Sequence, residues 1–481
     1  MNKMNIWDED NYQFLFILII SAFLIYVSGP QISRIGHVFL LLAAYKSNKN
    51  YIWIAFLFVL YDTPNYFYFG GTADDPVRVP IYSLGKNLSL TFQDLLMFIL
   101  LIKSFAKRFK LTKGFRNIFI GLVVFITFYL IMSVFLGTKS TNMTWTVRYL
   151  LPLLYIMIIP KLISSKMDWI NLFKILFPIV LFAFIGQIYF IINREPLSSL
   201  IYPAMIEKVN LNVRYYAMGA EVSRFYTGVY IGFISLCSAL YFLNSKKIKI
   251  NKLYLNLIVL LVLMQAVFSA TRSYSIAFSI ILFGWMVKQK MRQLPRFVLA
   301  MVIMMLISYQ FLRKSEVVDQ QMDRSFERLM TVQELARGDI TAGGTYGRLS
   351  QRTPRVMKKY WESPLLGYGF SDEYYKYADD HVAIPNLLLN FGIVGFVYLH
   401  ILLITITLKI LRLRKTRRLS IENYLFLLGL IAIFLVHLLG RQMFGLTLAP
   451  VLQMFIVLYF SFWLCFTKNP INDDSVAILV K

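Results

Sequence analysis

The chain is 481 residues long, 58% hydrophobic and 16% aromatic, and carries a formal net charge of +25. Apolar runs of about 17 residues or more recur along it, long enough to cross a bilayer many times over, which excludes a soluble globular protein. Cys237 and Cys465 each fall inside an apolar run and no Cys/His ligand spacing is present, so neither a disulfide framework nor a structural zinc site is expected.

The first apolar run, 13–29, follows Asp8-Glu9-Asp10 instead of a basic segment and precedes no small-residue cleavage site. It reads as a retained first span and not as a signal peptide. In chain order the predicted spans cover 13–29, 31–45, 50–62, 89–103, 117–136, 143–160, 169–192, 226–244, 253–270, 273–287, 297–312, 385–408, 421–438 and 444–466. That makes about 14, or about 12 if the short second and third runs do not cross. The connections 46–49, 103–116, 161–168, 246–252, 288–296 and 409–418 hold 24 Lys and Arg with Asp168 as the sole acid. Positive charge of this kind marks cytoplasmic loops, which accounts for the basic balance without nucleic acid and places both termini inside. Residues 313–384 hold 11 basic and 11 acidic residues, as an external segment should. The expected architecture is an all-α polytopic membrane protein: a transmembrane region over 1–312 with about 11 helices, a large, partly helical external loop over 313–384, and about three more helices over 385–481.

Lys and Arg divide by side. The six cytoplasmic connections contain 16 Lys to 8 Arg, whereas the external segments and outer helix ends contain 15 Arg to 7 Lys. Topology needs only positive charge, but a planar guanidinium grips two phosphate or carboxylate oxygens at once. Arg148, Arg272 and Arg441 lie at outer ends of spans, where they either face one external cavity or snorkel to lipid headgroups. Arg272 sits in Phe268-Ser-Ala-Thr-Arg-Ser-Tyr-Ser275, a polar hinge between apolar runs whose small neighbours leave room for a ligand. No Asp or Glu lies deep in an apolar run, so the carboxylate relay of a proton-coupled transporter is missing.

Of four histidines, His37, His400 and His437 lie within apolar runs and read as packing residues. His381 differs: it follows Asp379 and Asp380, ends the external loop and opens the next span. An imidazole there either lies on the surface or holds a hydroxyl proton near neutral pH, with Asp379 or Asp380 orienting it. Within the loop, residues 347–361 place Arg348, Arg352, Arg355 and Lys359 near one face at helical spacing, unless Pro354 opens the helix instead. A solvated basic face and a site for an anionic lipid or sugar diphosphate are the two readings of that pattern. Glu362-Ser-Pro-Leu-Leu-Gly-Tyr-Gly-Phe370 then ends the helix in a Pro/Gly turn.

Arg348, the Ser363-Pro-Leu-Leu-Gly-Tyr-Gly-Phe370 turn, and His381 followed by Gly392 and Gly395 together resemble the signature region of the bacterial O-antigen polymerase and O-antigen ligase superfamily. Ser269-Ala-Thr-Arg272 resembles that family's small-residue hinge with arginine, and Arg224-Phe-Tyr-Thr-Gly228 its entry to a span. The specific match covers about 50 residues, 346–395, plus these outposts; Val382 and Asn390 stand where the family has Asn and Glu. The resemblance implies a GT-C-like glycosyltransferase of the bacterial inner membrane that uses neither metal nor other cofactor. It would act at the periplasmic face on undecaprenyl-diphosphate-linked glycans. Its partners would be those lipid-linked oligosaccharides, membrane lipids and a chain-length regulator. His381 and Arg272 would be catalytic. Arg148, Arg224, Arg348, Arg352 and Arg441 would hold the diphosphate, with Asp379 and Asp380 orienting the histidine. Asp74-Asp75 lies in an external loop where metal-using relatives keep acids, but without D-x-D spacing. The broad external excess of Arg suits two diphosphate headgroups and hence a polymerase; a ligase acting on a lipid A–core acceptor shares the same motifs. A lipid-linked-oligosaccharide flippase has a similar number of spans but does not call for the loop and its terminal histidine.

Overall fold

The computed structural model describes residues 8–62, 80–83, 89–106, 113–150, 154–163, 165–193, 197–200, 214–217, 220–223, 229–244, 250–269, 272–288, 310, 315–339, 345–379, 382–412, 424–425, 427–429 and 431–432. The chain folds as a set of helices with two short antiparallel hairpins. The helices are α1 (Glu9–Tyr26), α2 (Pro30–Lys46), α3 (Asn50–Asp62), α4 (Phe92–Ala106), α5 (Lys113–Phe135), α6 (Ser140–Leu150), α7 (Tyr155–Leu162), α8 (Lys166–Asn193), α9 (Val229–Asn244), α10 (Lys252–Phe268), α11 (Arg272–Lys288), α12 (Glu316–Ala336), α13 (Thr353–Tyr360), α14 (Asp372–Tyr377) and α15 (Ala383–Arg412). Strand β1 (Pro80–Ser83) pairs with β2 (Ser89–Thr91), and β3 (Arg214–Ala217) with β4 (Ala220–Ser223). The fold is predominantly helical, as expected, but the hairpins add strands to it: β3 and β4 lie in the connection between the spans 169–192 and 226–244, and β1 pairs with β2 at the start of the predicted span 89–103, in segments of three or four residues too short to register in a search for spans.

Among the described residues, two helices, Met167–Asn193 and Ala383–Leu402, are long and apolar enough to cross a membrane, and five further apolar helices are shorter. The predicted spans 13–29 to 273–287 and 385–408 fall on helices α1 to α11 and α15, the sixth divided between α6 and α7. The predicted span 444–466, all but residue 310 of 297–312, and most of 421–438 lie outside the described residues.

Among the described residues, the basic connections 46–49, 103–116 and 161–168 come together. Asp8 caps α1 by accepting from the Asn11 amide at 3.3 Å, and its carboxylate pairs with Lys174, which is buried in α8. Lys49, just before α3, pairs with Glu9 at 3.1 Å and Asp10 at 2.8 Å, and the Tyr51 hydroxyl donates to Asp10 at 2.8 Å. Lys103, in the last turn of α4, donates to the Ala44 and Ser47 carbonyls at the end of α2 at 2.8 and 2.5 Å. A cation there answers the negative end of the helix dipole. Lys161 lies 5.2 Å from the Phe105 ring. At the far end of α10, α12 packs across α8, α10 and α11, with Val318 and Met322 buried and Gln321 donating to the Phe268 carbonyl at 3.1 Å.

Among the described residues two hydrophobic cores result. The larger joins α1 to α4, Leu122 of α5, α7 to α12, and Leu425, Leu428 and Ala432. The smaller is built from Tyr129 of α5, Val356 and Tyr360 of α13, Phe370, Tyr374 of α14, and Val382, Leu387, Leu389, Phe391 and Leu399 around α15. This second core carries the candidate site.

Candidate functional site

The Pro/Gly turn is spliced into a break in α15. In an unbroken helix Ile393 and Val394 would donate to the Leu389 and Asn390 carbonyls. Here Gly392 takes φ 60° and ψ −174°, a conformation open essentially to glycine alone. Ile393 instead donates to the Pro364 carbonyl at 2.9 Å and Val394 to the Leu365 carbonyl at 3.2 Å. The released carbonyls of Leu389 and Asn390 accept from Tyr368 at 2.9 Å and Gly369 at 2.7 Å. Two carbonyls and two amides freed by the break are thereby satisfied by the turn. A side chain at Gly367 would place Cβ 2.6 Å from the Gly392 nitrogen, and one at Gly392 would run into the Leu365 carbonyl. Helix α5 closes the junction from the side. The Tyr129 hydroxyl donates to the Phe391 carbonyl at 2.6 Å, and Ser133 Oγ accepts from the Phe370 amide at 2.6 Å.

The basic face ahead of the turn is a continuous helical stretch that passes through Pro354. A helical turn at Thr345–Gly347 widens into a π turn over Arg348–Arg352 before α13 begins. The Thr353 amide reaches back five residues to the Arg348 carbonyl. Widening the turn there accommodates a proline that lacks an amide proton and crowds the carbonyl four residues earlier. Arg352 Nη1 lies 3.3 Å from Asp379 Oδ1 and Arg355 Nη2 lies 3.0 Å from Asp379 Oδ2. One carboxylate thus holds two guanidiniums side by side against their mutual repulsion. Both arginine side chains are about half exposed, at 44% and 56%, which leaves guanidinium edges open to an anion. Asp379 is itself fixed through its backbone, because the Asn386 amide group accepts from its N–H at 2.8 Å and donates to its carbonyl.

Two further tethers hold the unit. Lys359 pairs with Glu362 at 2.7 Å and Glu373 at 2.9 Å and lies over the Tyr368 and Tyr377 rings. Its hydrogen bonds to the two carboxylates raise its pKa, and the same contact lowers that of Glu362. Asp372 accepts from the Lys139 amide at 2.9 Å and from Asn142 Nδ2 at 2.7 Å, joining the start of α14 to the α5–α6 connection. The Lys139 amide is the main reason its carboxyl titrates below the usual range.

Of the residues singled out in the sequence, Arg352 and Asp379 are brought together beside the turn, and Arg348 opens the π turn ahead of them. His381, Asp380, Arg224 and Arg441 lie outside the described residues, as do Asp74 and Asp75. Arg148 lies in α6 and Arg272 opens α11, without a described side-chain placement. The described chain on either side of 380–381 is anchored: the Val382 amide donates to the Asp379 carbonyl at 3.1 Å. Sequence reasoning missed Asn386, Tyr129 and Ser133. Only Asn386 left a signal, as a polar residue on the buried side of an apolar helix.

No family model matches the chain, and neither does any curated protein in the comparison made.

Proposed function

We propose that the protein is a bacterial inner-membrane glycosyltransferase that polymerises a surface polysaccharide. It would transfer an undecaprenyl-diphosphate-linked glycan onto another lipid-linked repeat unit at the periplasmic face. The observation that carries this reading is the splice. The arginine-led helix, the Pro/Gly turn and the Gly392-x-x-Gly395 helix, which resemble one family's signature in the sequence, interlock as one unit built around the residues that flank His381. The contacts that bring the basic connections 46–49, 103–116 and 161–168 together, with α12 packed against the far end of α10, support the alternating topology. Breaking a sugar–diphosphate bond releases a multiply charged leaving group, which preorganised guanidiniums stabilise without a metal. Arg272, Arg148, Arg224 and Arg441, with Arg348 and Arg352, are assigned to that charge. His381 is assigned to the acceptor hydroxyl, the other half of the transfer.

The test is transfer by the purified protein with lipid-linked repeat units as both donor and acceptor, the products resolved on a gel. A polymerase gives a ladder from repeat units alone. Product formed only when lipid A–core is added makes the protein a ligase. No covalent product under either condition, with translocation of the lipid-linked unit across the vesicle, makes it a flippase.

A further inference from the structure

We propose that the shoulder of the Pro/Gly turn, residues 361–366, is seated in the outer surface of the phospholipid bilayer, with the exposed basic residues of α13 in its headgroup layer. This rests on the membrane-spanning reading of the chain and not on its being a transferase.

Two helices fix the depth of the turn independently. Along α15 the exposed large apolar residues are Ile393, Val394, Val397, Ile401, Ile404 and Leu408. At 1.5 Å per residue this stripe is about 23 Å long, which fits within a hydrocarbon core of about 30 Å. Residues 383–391, on the other side of the Gly392 break, present no exposed large apolar residue and are packed under α13. The stripe therefore begins where the turn is bonded, since Pro364 and Leu365 accept from Ile393 and Val394. On α5, Gly369 stands against Ser133 and Tyr129, while exposed apolar residues continue past that level to Phe135 and Leu136. Both markers put the turn at the last turn of the lipid-facing surface. Irregular backbone is tolerated at that depth because the splice satisfies its polar groups within the protein.

At this level Trp361 is 67% exposed and Leu365 66% exposed, with Leu366 beside them. A tryptophan with large aliphatic neighbours suits the boundary between acyl chains and headgroups. The adjoining helix supplies the complementary charge: Arg352, Arg355 and Lys358 are exposed and sit where lipid phosphates would lie. Continuity with the α15 stripe and this charge single out a phospholipid surface as the occupant. A lipid-linked substrate would then meet the basic helix without leaving the headgroup layer.

The experiment uses the full chain with Cys237→Ala and Cys465→Ala, in nanodiscs of phosphatidylethanolamine and phosphatidylglycerol. Single spin labels are placed on cysteines at Leu365, at Ile401 in the middle of the stripe, and at Gln320 on the exposed face of α12. Collision with oxygen, which partitions into lipid, is compared with collision with a water-soluble nickel chelate. The expected oxygen-to-nickel ratio at Leu365 is several-fold above that at Gln320 and below that at Ile401. A ratio at Leu365 equal to that at Gln320, with Ile401 still in lipid, overturns the proposal alone. Low collision with both reagents at Leu365 also overturns it, because a second copy of the chain then covers the surface. If Ile401 itself meets nickel freely, the membrane-spanning reading falls and the proposal with it.

Discussion

Gly392 is the residue on which the second core turns. Its φ of 60° and ψ of −174° strain any L side chain, and a Cβ there collides with the Leu365 carbonyl. Backbone strain and overpacking each cost about 1–3 kcal/mol, so Gly392→Ala should destabilise the protein by roughly 3 kcal/mol or more. Gly29→Ala, at a position with ordinary φ and nothing within 4 Å, should be close to neutral. Melting of the two variants in detergent checks the contrast, and equal melting temperatures would count against the splice. Arg272 offers a test of chemistry at the same scale. If its guanidinium grips two diphosphate oxygens, Arg272→Lys should be impaired nearly as much as Arg272→Ala in the transfer assay. Full activity in the lysine variant would instead mark it as a headgroup anchor. At this scale the sequence was partly legible: the glycines and arginines stood out by type, but that Gly367 packs against Gly392, or that Asp379 binds Arg352 and Arg355, depends on pairs that no local spacing reveals.

Among the elements, the apolar helices were readable because their length and composition are local properties. The hairpins were not, since their strands are short and polar, and neither was the break in α15, which is repaired by bonds from residues more than twenty positions away. The π turn ahead of α13 reconciles the two readings of Pro354: the α-helix opens with Pro354 in its first turn, and the π turn carries the basic face on ahead of it. The tether between α14 and the α5–α6 connection gives a pH-dependent prediction. The Asp372 carboxyl titrates lower in the folded protein than in the unfolded chain, because the Lys139 amide favours its charged form. Its stabilisation is therefore present above the unfolded carboxylate pKa of about 4 and is lost as pH falls through the folded value. Asp372→Asn should melt below the parent protein at neutral pH, and the gap should close in acid. A gap that is constant with pH would show that the charge of Asp372 plays no part in the tether.

For the whole molecule, the proposed topology places the basic end in the cytoplasm and the spliced turn outside. A cysteine introduced at Ser350, an exposed position in the π turn, should react with an impermeant thiol reagent added from the periplasmic side. Labelling from the cytoplasmic side alone would reverse the topology and remove the external site. The two-core organisation also bears on mechanism. The core that carries the turn is built on α5 and α15, whereas Arg272 belongs to α11 of the larger core and Arg148 to α6, so the proposed site would draw on elements beyond the turn's own core. The central claim is that this assembly transfers lipid-linked glycans with arginine and histidine and without a metal. The most direct measurement is the transfer rate of purified protein between lipid-linked repeat units in excess EDTA, compared with that of a well-folded His381→Ala variant. The parent should keep its full rate under chelation, and the variant should lose about 10²-fold or more. A rate abolished by EDTA and restored by Mg²⁺ or Mn²⁺, or near-normal polymer from His381→Ala, would contradict the account.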